Sequence, residues 1–109
     1  MDPDDARERL RARSAALVAE TNGGRGATAT VALDQQAVGR LSRMDALQQQ
    51  AMAQAAQRNR AAELGRIDAA LARIAANAFG YCVDCGDEIA AARLDRDPSA
   101  PKCLSCARG

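Results

Sequence analysis

Apolar side chains return at helical spacing along much of this 109-residue chain, and two stretches carry the clearest pattern. Near the start, Ala6, Leu10 and Leu17 recur close to a seven-residue period, and Asp5 and Arg9 form an i,i+4 pair beside them. Asp2 followed by Pro3 reads as an N-cap and a first-turn proline. Asp4, Asp5 and Glu8 add negative charge where the helix dipole favours it. The pattern predicts a helix over 3–21 that TNGGRG, 21–26, brings to an end. Further on, Leu64, Ile67, Leu71, Ile74 and Ala78 alternate steps of three and four, the mark of a coiled-coil seam.

Between these stretches the pattern weakens. ATATVAL, 27–33, is short and apolar with no turn partner and reads as part of a linker over 22–33. Asp34 is a candidate cap for a second helix, with Gln35 and Gln36 in its first turn, running over 34–77. Val38, Leu41, Leu47 and Met52 give its first half a looser stripe than the second. Gly39 and Gly65 each weaken a helix by about 1 kcal/mol, and neither has a second breaker beside it. Two helices with one apolar stripe each fold back most simply as an antiparallel hairpin. At 1.5 Å per residue they would measure about 28 and 65 Å, so part of the second lacks a partner unless it bends near Gly39. The expected architecture is mainly α: a helical hairpin over 1–78 and a small cysteine-bearing module over 79–109.

Composition narrows the classes. Of 52 hydrophobic residues 27 are alanine, and Phe79 and Tyr81 are the only aromatics, which favours thin helices over a thick core. The formal charge of +1 lacks the basic excess of a typical nucleic-acid binder. No apolar run approaches the ~20 residues of a membrane span. The acidic N-terminus lacks a secretory signal layout, so the expected compartment is the cytoplasm, where thiols stay reduced.

The candidate chemistry lies in four cysteines. Cys82-Val-Asp-Cys85 is followed after 17 residues by Cys103-Leu-Ser-Cys106. Two such pairs at this separation suit a tetrahedral zinc site, and four thiolates leave no open position for catalysis. The expected cofactor is therefore one structural Zn2+ held by Cys82, Cys85, Cys103 and Cys106. Gly86, directly after the first pair, suits a left-handed turn. A thioredoxin-like redox site would need a βαβ context that is absent, iron–sulfur proteins usually space their cysteines differently, and a disulfide would need oxidising conditions. Phe79 and Tyr81 are expected to cover one side of the metal, and Ile89 and Leu94 the other. Pro98 and Pro101 stiffen the return. Arg93, Arg96 and Lys102 read as charge balance for a zinc tetrathiolate, in preference to phosphate contacts. One zinc on four thiolates moves the formal charge from +1 to −1.

The string FGYCVDCGDEIAAARLDRDPSAPKCLSCA, 79–107, resembles the four-cysteine zinc finger of the DksA/TraR family of bacterial transcription regulators. Phe79-Gly80-Tyr81-Cys82, Cys85-Gly86, Ile89, Arg93-Leu94, Pro98, Cys103 and Cys106 carry the likeness, with a long helix leading into the finger. The resemblance implies a partner, RNA polymerase, whose secondary channel receives a coiled-coil tip, with no binding to promoter DNA and often with the alarmone ppGpp. In that family the tip carries Asp-x-x-Asp-x-Ala. The nearest segment here is Leu41-Ser42-Arg43-Met44-Asp45-Ala46-Leu47, in which Ser42 holds the first acidic position, Asp45 the second and Leu47 the alanine's. Ser42, Asp45 and Ala46 are thus the candidate tip residues. Asp2-x-x-Asp5 has the interval but not the following alanine. The helical tail that follows the finger in longer members has no counterpart before Gly109.

Three functional classes remain in order. A regulator that binds RNA polymerase comes first, and a zinc-stapled adaptor for another protein second. An enzyme comes last, since the chain has no histidine and no nucleophile–base arrangement.

Overall fold

The computed structural model describes residues 1–34 and 40–109, and side chains over 1–23 and 42–109. Two long helices dominate: α1, Pro3–Asp34, and α2, Arg40–Ala75. Two short ones follow, α3 at Ala91–Arg96 and α4 at Leu104–Arg108. The described residues contain no strand, only an isolated antiparallel bridge between Tyr81 and Glu88. The mainly helical architecture matches the sequence reading.

Three boundaries differ from it. Helix α1 does not stop at 21 but runs through the expected linker 22–33 to Asp34. Three glycines in TNGGRG cost helix stability without forbidding helix, since none brings proline's clash. Asp34 therefore ends α1 rather than capping α2, while Gln35, Gln36, Val38 and Gly39 lie outside the described residues. At 1.5 Å per residue α1 and α2 measure about 48 and 54 Å, which removes the expected mismatch. Helix α2 ends at Ala75, not 77. The Ala78 N–H donates to the Arg73 carbonyl at 2.8 Å and the Asn77 N–H to the Ile74 carbonyl at 3.1 Å. Asn77 takes the left-handed conformation (φ 59), completing a Schellman cap.

The two compact units cut across the expected division at 78. One comprises Met1–Ala15 and Leu64–Gly109, the other Ala16–Glu63. In the first, the start of α1 pairs with the end of α2, and Ala6, Leu10, Ile67, Ala70 and Ile74 are buried. Leu64 and Leu71 are half-buried and Ala78 is exposed, so the stripe centres on Ile67, Ala70 and Ile74 rather than on Leu71. In the second unit Leu17 and Ala46 are buried. Arg60 Nε donates to Thr21 Oγ1 at 3.4 Å, and that hydroxyl donates to the Leu17 carbonyl at 2.9 Å. Met44, Leu47 and Met52 are exposed there, and the side chain of Leu41 lies outside the described set.

Along α2 the non-exposed positions include a run, 46, 50, 53, 57, 60, 64, 67, 71 and 74, that alternates steps of four and three, with 55, 56, 63, 70 and 73 shielded beside it. The run reads Ala, Gln, Ala, Gln, Arg, Leu, Ile, Leu, Ile, a heptad seam that is polar or small in its first half and aliphatic in its second.

Candidate metal centre

Beyond the cap at Asn77 the chain makes a narrow turn-back. The Ile89 N–H donates to the Gly80 carbonyl and the Cys82 N–H to the Asp87 carbonyl, both at 2.8 Å. Between these ladder bonds the Gly86 N–H donates to the Cys82 carbonyl at 3.0 Å, closing a turn around the first cysteine pair. Gly86 holds φ +79, a conformation that side chains other than glycine's adopt at a cost. The Val83 N–H donates to the Pro101 carbonyl at 2.9 Å and brings in the return segment. Cys103 then precedes α4, and Cys106 sits within it.

These turns bring all four cysteines together. Their sulfurs lie within 4.8 Å of one another, and Cys85 Sγ to Cys103 Sγ measures 3.7 Å. A regular tetrahedron with Zn–S of about 2.3 Å has edges of about 3.8 Å, so the sulfur set fits zinc. Cys82 is buried, Cys103 and Cys106 are half-buried and Cys85 is exposed.

The thiols are not equivalent. The backbone N–H groups of Cys85 and Cys103 point at the Cys82 sulfur and bring its pKa down to about 6. The neighbouring sulfurs of Cys103, Cys82 and Cys85 push Cys106 up to about 12. Cys85 is also raised: the Asp87 N–H favours its thiolate, but the sulfurs of Cys82 and Cys103, with burial, outweigh it. Hydrogen bonding supports the first negative charge and crowding opposes the later ones, the electrostatic situation a divalent cation relieves.

Packing around the sulfurs follows the sequence reading in part. Cys82, Ile89 and Leu94 form a buried cluster, with Phe79, Cys103, Cys106 and Met1 packed against it. Tyr81, expected to cover the metal, is 48% exposed instead. Side chains alternate across an extended backbone, so a buried Cys82 turns its neighbour outward. Met1 carries no motif that would have placed it here.

Charged groups brace the same segment. Lys102 Nζ pairs with Asp84 Oδ2 at 3.0 Å, joining the return segment to the first cysteine pair. Asp84 foremost, and then the sulfurs of Cys106 and Cys82, raise the Lys102 pKa. Arg93 Nε donates to the Lys102 carbonyl at 2.9 Å. Arg73 Nη2 reaches the Ser99 carbonyl at 3.4 Å, and Arg9 Nη2 reaches the Asp95 carbonyl at 2.8 Å. Asp97 Oδ1 accepts from the Ser99 N–H and hydroxyl, fixing the turn before Pro101.

The segment also has relatives. Residues 77–109 match the sequence model of the prokaryotic dksA/traR C4-type zinc finger. Over those residues the chain is similar to the finger of the DksA/TraR family. Over 41 residues the chain is 42% identical to the RNA polymerase-binding transcription factor DksA of Haemophilus influenzae, a match covering 38% of this chain and 28% of that protein. The structure of transcription factor DksA2 from Pseudomonas aeruginosa superposes with a TM-score of 0.81, covering 97% of this chain and 80% of that one at 23% identity. That likeness is one of fold. The clustered cysteines and the match over the finger together mark this as a zinc-binding module.

The candidate tip residues lie in the first two turns of α2. Ser42 and Asp45 are exposed, whereas Ala46 is buried on the heptad seam. No helix of the described residues is long and apolar enough to cross a membrane.

Proposed function

We propose that this protein is a DksA-like transcription regulator that binds RNA polymerase rather than promoter DNA. The observation that carries the reading is the finger: it matches the family over 77–109, and a relative similar over 41 residues is named for polymerase binding. A formal charge of +1 supports a protein partner over DNA. In this reading one structural zinc, held by Cys82, Cys85, Cys103 and Cys106, keeps the finger folded as a base. The long helices then act as a probe of the polymerase secondary channel, in the cytoplasm, with ppGpp as a candidate co-effector. The probe's candidate tip is Ser42, Asp45 and Ala46.

A carboxylate near a metal-dependent active site perturbs bound Mg2+ or a mobile loop, and two do so more strongly than one. With Asp45 alone at the tip, the effect on initiation is weaker than that of a two-aspartate protein. The test pairs affinity for core polymerase with transcription from a ribosomal RNA promoter, for the natural chain and Asp45→Asn. Binding in the micromolar range, with a transcriptional effect that Asp45→Asn reduces, is the expected result. No detectable affinity would replace this reading with that of a zinc-stapled adaptor for another protein. Binding with an unchanged effect in Asp45→Asn would leave the regulator and remove the tip assignment.

A further inference from the structure

The outward turn of Tyr81 sets it opposite Glu88 in the bridge. The ladder bonds from Cys82 to Asp87 and from Ile89 to Gly80 flank the Tyr81–Glu88 bridge, making these two a non-hydrogen-bonded antiparallel pair. In such a pair the side chains project to one face with Cβ atoms about 4.5–5.5 Å apart. Both line a cavity of about 490 Å³ whose apolar lining includes Phe79, Ile89, Leu94 and Met1. Glu88 is the one charged side chain in that lining. Neither its carboxylate nor the Tyr81 hydroxyl has a hydrogen-bond or ion-pair partner among the described residues.

We propose that this cavity receives an arginine side chain of a protein partner, with a neighbouring apolar residue of the same segment seated on its floor. The charge complementarity is local: Glu88 brings one unpaired carboxylate, no side chain of the lining is basic, and the α-ammonium of Met1 is the cation an incoming guanidinium has to outcompete. A guanidinium is planar, so it can lie over the Tyr81 ring while its edge forms two parallel bonds to Glu88. An ammonium is a more strongly hydrated point charge and makes one of these contacts at a time. The volume falls within the roughly 300–1,000 Å³ of small-ligand clefts, room for an arginine and one aliphatic side chain. Phe79, Ile89, Leu94 and Met1 of the cavity floor also pack with Cys82, whereas Tyr81 and Glu88 project to the other face of the ladder, so the guanidinium contacts lie at the outer edge of the cavity and need no change at the sulfurs. It holds for any partner with this chemistry and does not depend on the polymerase reading.

The test uses the full-length, zinc-loaded, 15N-labelled protein and the peptide acetyl-Leu-Leu-Arg-amide. Its counterpart carries citrulline, which keeps the shape and removes the charge. Saturable shifts centred on Gly80, Tyr81, Glu88 and Ala91 are expected, with the citrulline peptide about threefold or more weaker. Glu88→Gln should abolish that difference, and Tyr81→Ala should weaken the arginine peptide by about two- to fivefold. Both side chains are exposed, so each variant should keep its zinc and its helical spectrum. Equal binding of the two peptides, shifts centred elsewhere, or an equally strong lysine peptide would overturn the proposal. So would a lack of saturation by roughly 10 mM peptide.

Discussion

Four sulfurs within 4.8 Å of one another resist becoming four thiolates unless a cation joins them. With the sulfurs gathered, Cys82 lies at about 6 and Cys106 at about 12, so the cluster takes its first negative charge readily and resists the later ones. Without metal the finger loses this arrangement and its thiols return to ordinary values of about 8.5, so zinc binding at about pH 7.5 should release nearly four protons per ion. Every displaced proton favours the metal-free state in acid, so affinity rises with pH. Titration calorimetry in two buffers of different ionisation enthalpy measures the count, and a release of three or fewer at about pH 7.5 would mean that the sulfurs stay gathered without metal, with Cys82 already ionised. At this scale the cysteine spacing made the cluster legible, because two tight turns leave little freedom for where their sulfurs point. The outward turn of Tyr81 was not legible, since it depends on which face of an isolated bridge is buried. Nor was the place of Met1, which depends on how the finger packs on the first turn of α1.

Single elements show the same division between pattern and packing. The seam on α2 was visible where it is aliphatic, from Leu64 to Ile74, and hidden where Gln50, Gln57 and Arg60 occupy the same heptad positions. A hydrophobicity pattern follows side chains, whereas burial follows the helix surface that faces a neighbour. Leu47 and Met52 drew attention because they are large, yet they lie off the seam and are exposed. Helix α1 outruns its expected end for a related reason: glycine lowers helix stability without forbidding helix, and no proline interrupts the chain between Pro3 and Asp34. The seam makes a quantitative prediction. Ile67 is 1% exposed and Leu71 half-buried, so Ile67→Ala should cost about 2–4 kcal/mol and Leu71→Ala less than half of that. Urea unfolding of the zinc-loaded protein measures both, and equal losses would move the centre of the seam back towards Leu71.

For the whole molecule, the finger joins two helix ends distant in sequence. Arg9 from α1 and Arg73 from α2 both donate to carbonyls of the stretch Asp95–Ser99, and Met1 packs on the cluster behind Cys82. Burial lowers the Arg73 pKa, but a guanidinium keeps its charge at any pH where the protein folds. A stretch so poor in large apolar side chains depends on its metal for order. Cys103→Ser should therefore lose zinc and disorder residues 79–106, while α1 and α2 keep most of their helical signal. Metal analysis with backbone NMR would show this, and a variant retaining one zinc and an unchanged finger would contradict it.

The Arg9–Asp95 contact spans 86 residues, and that distance is also a delay. Ribosomes add roughly 5–20 residues each second, so Asp95 is made roughly 4–17 s after Arg9. Through that interval the first turns of α1 must wait without the finger they pack against. Ala6 and Leu10 present little apolar surface to the crowd outside during the wait, and a stripe of large aromatics in their place would invite capture by chaperones or neighbouring chains.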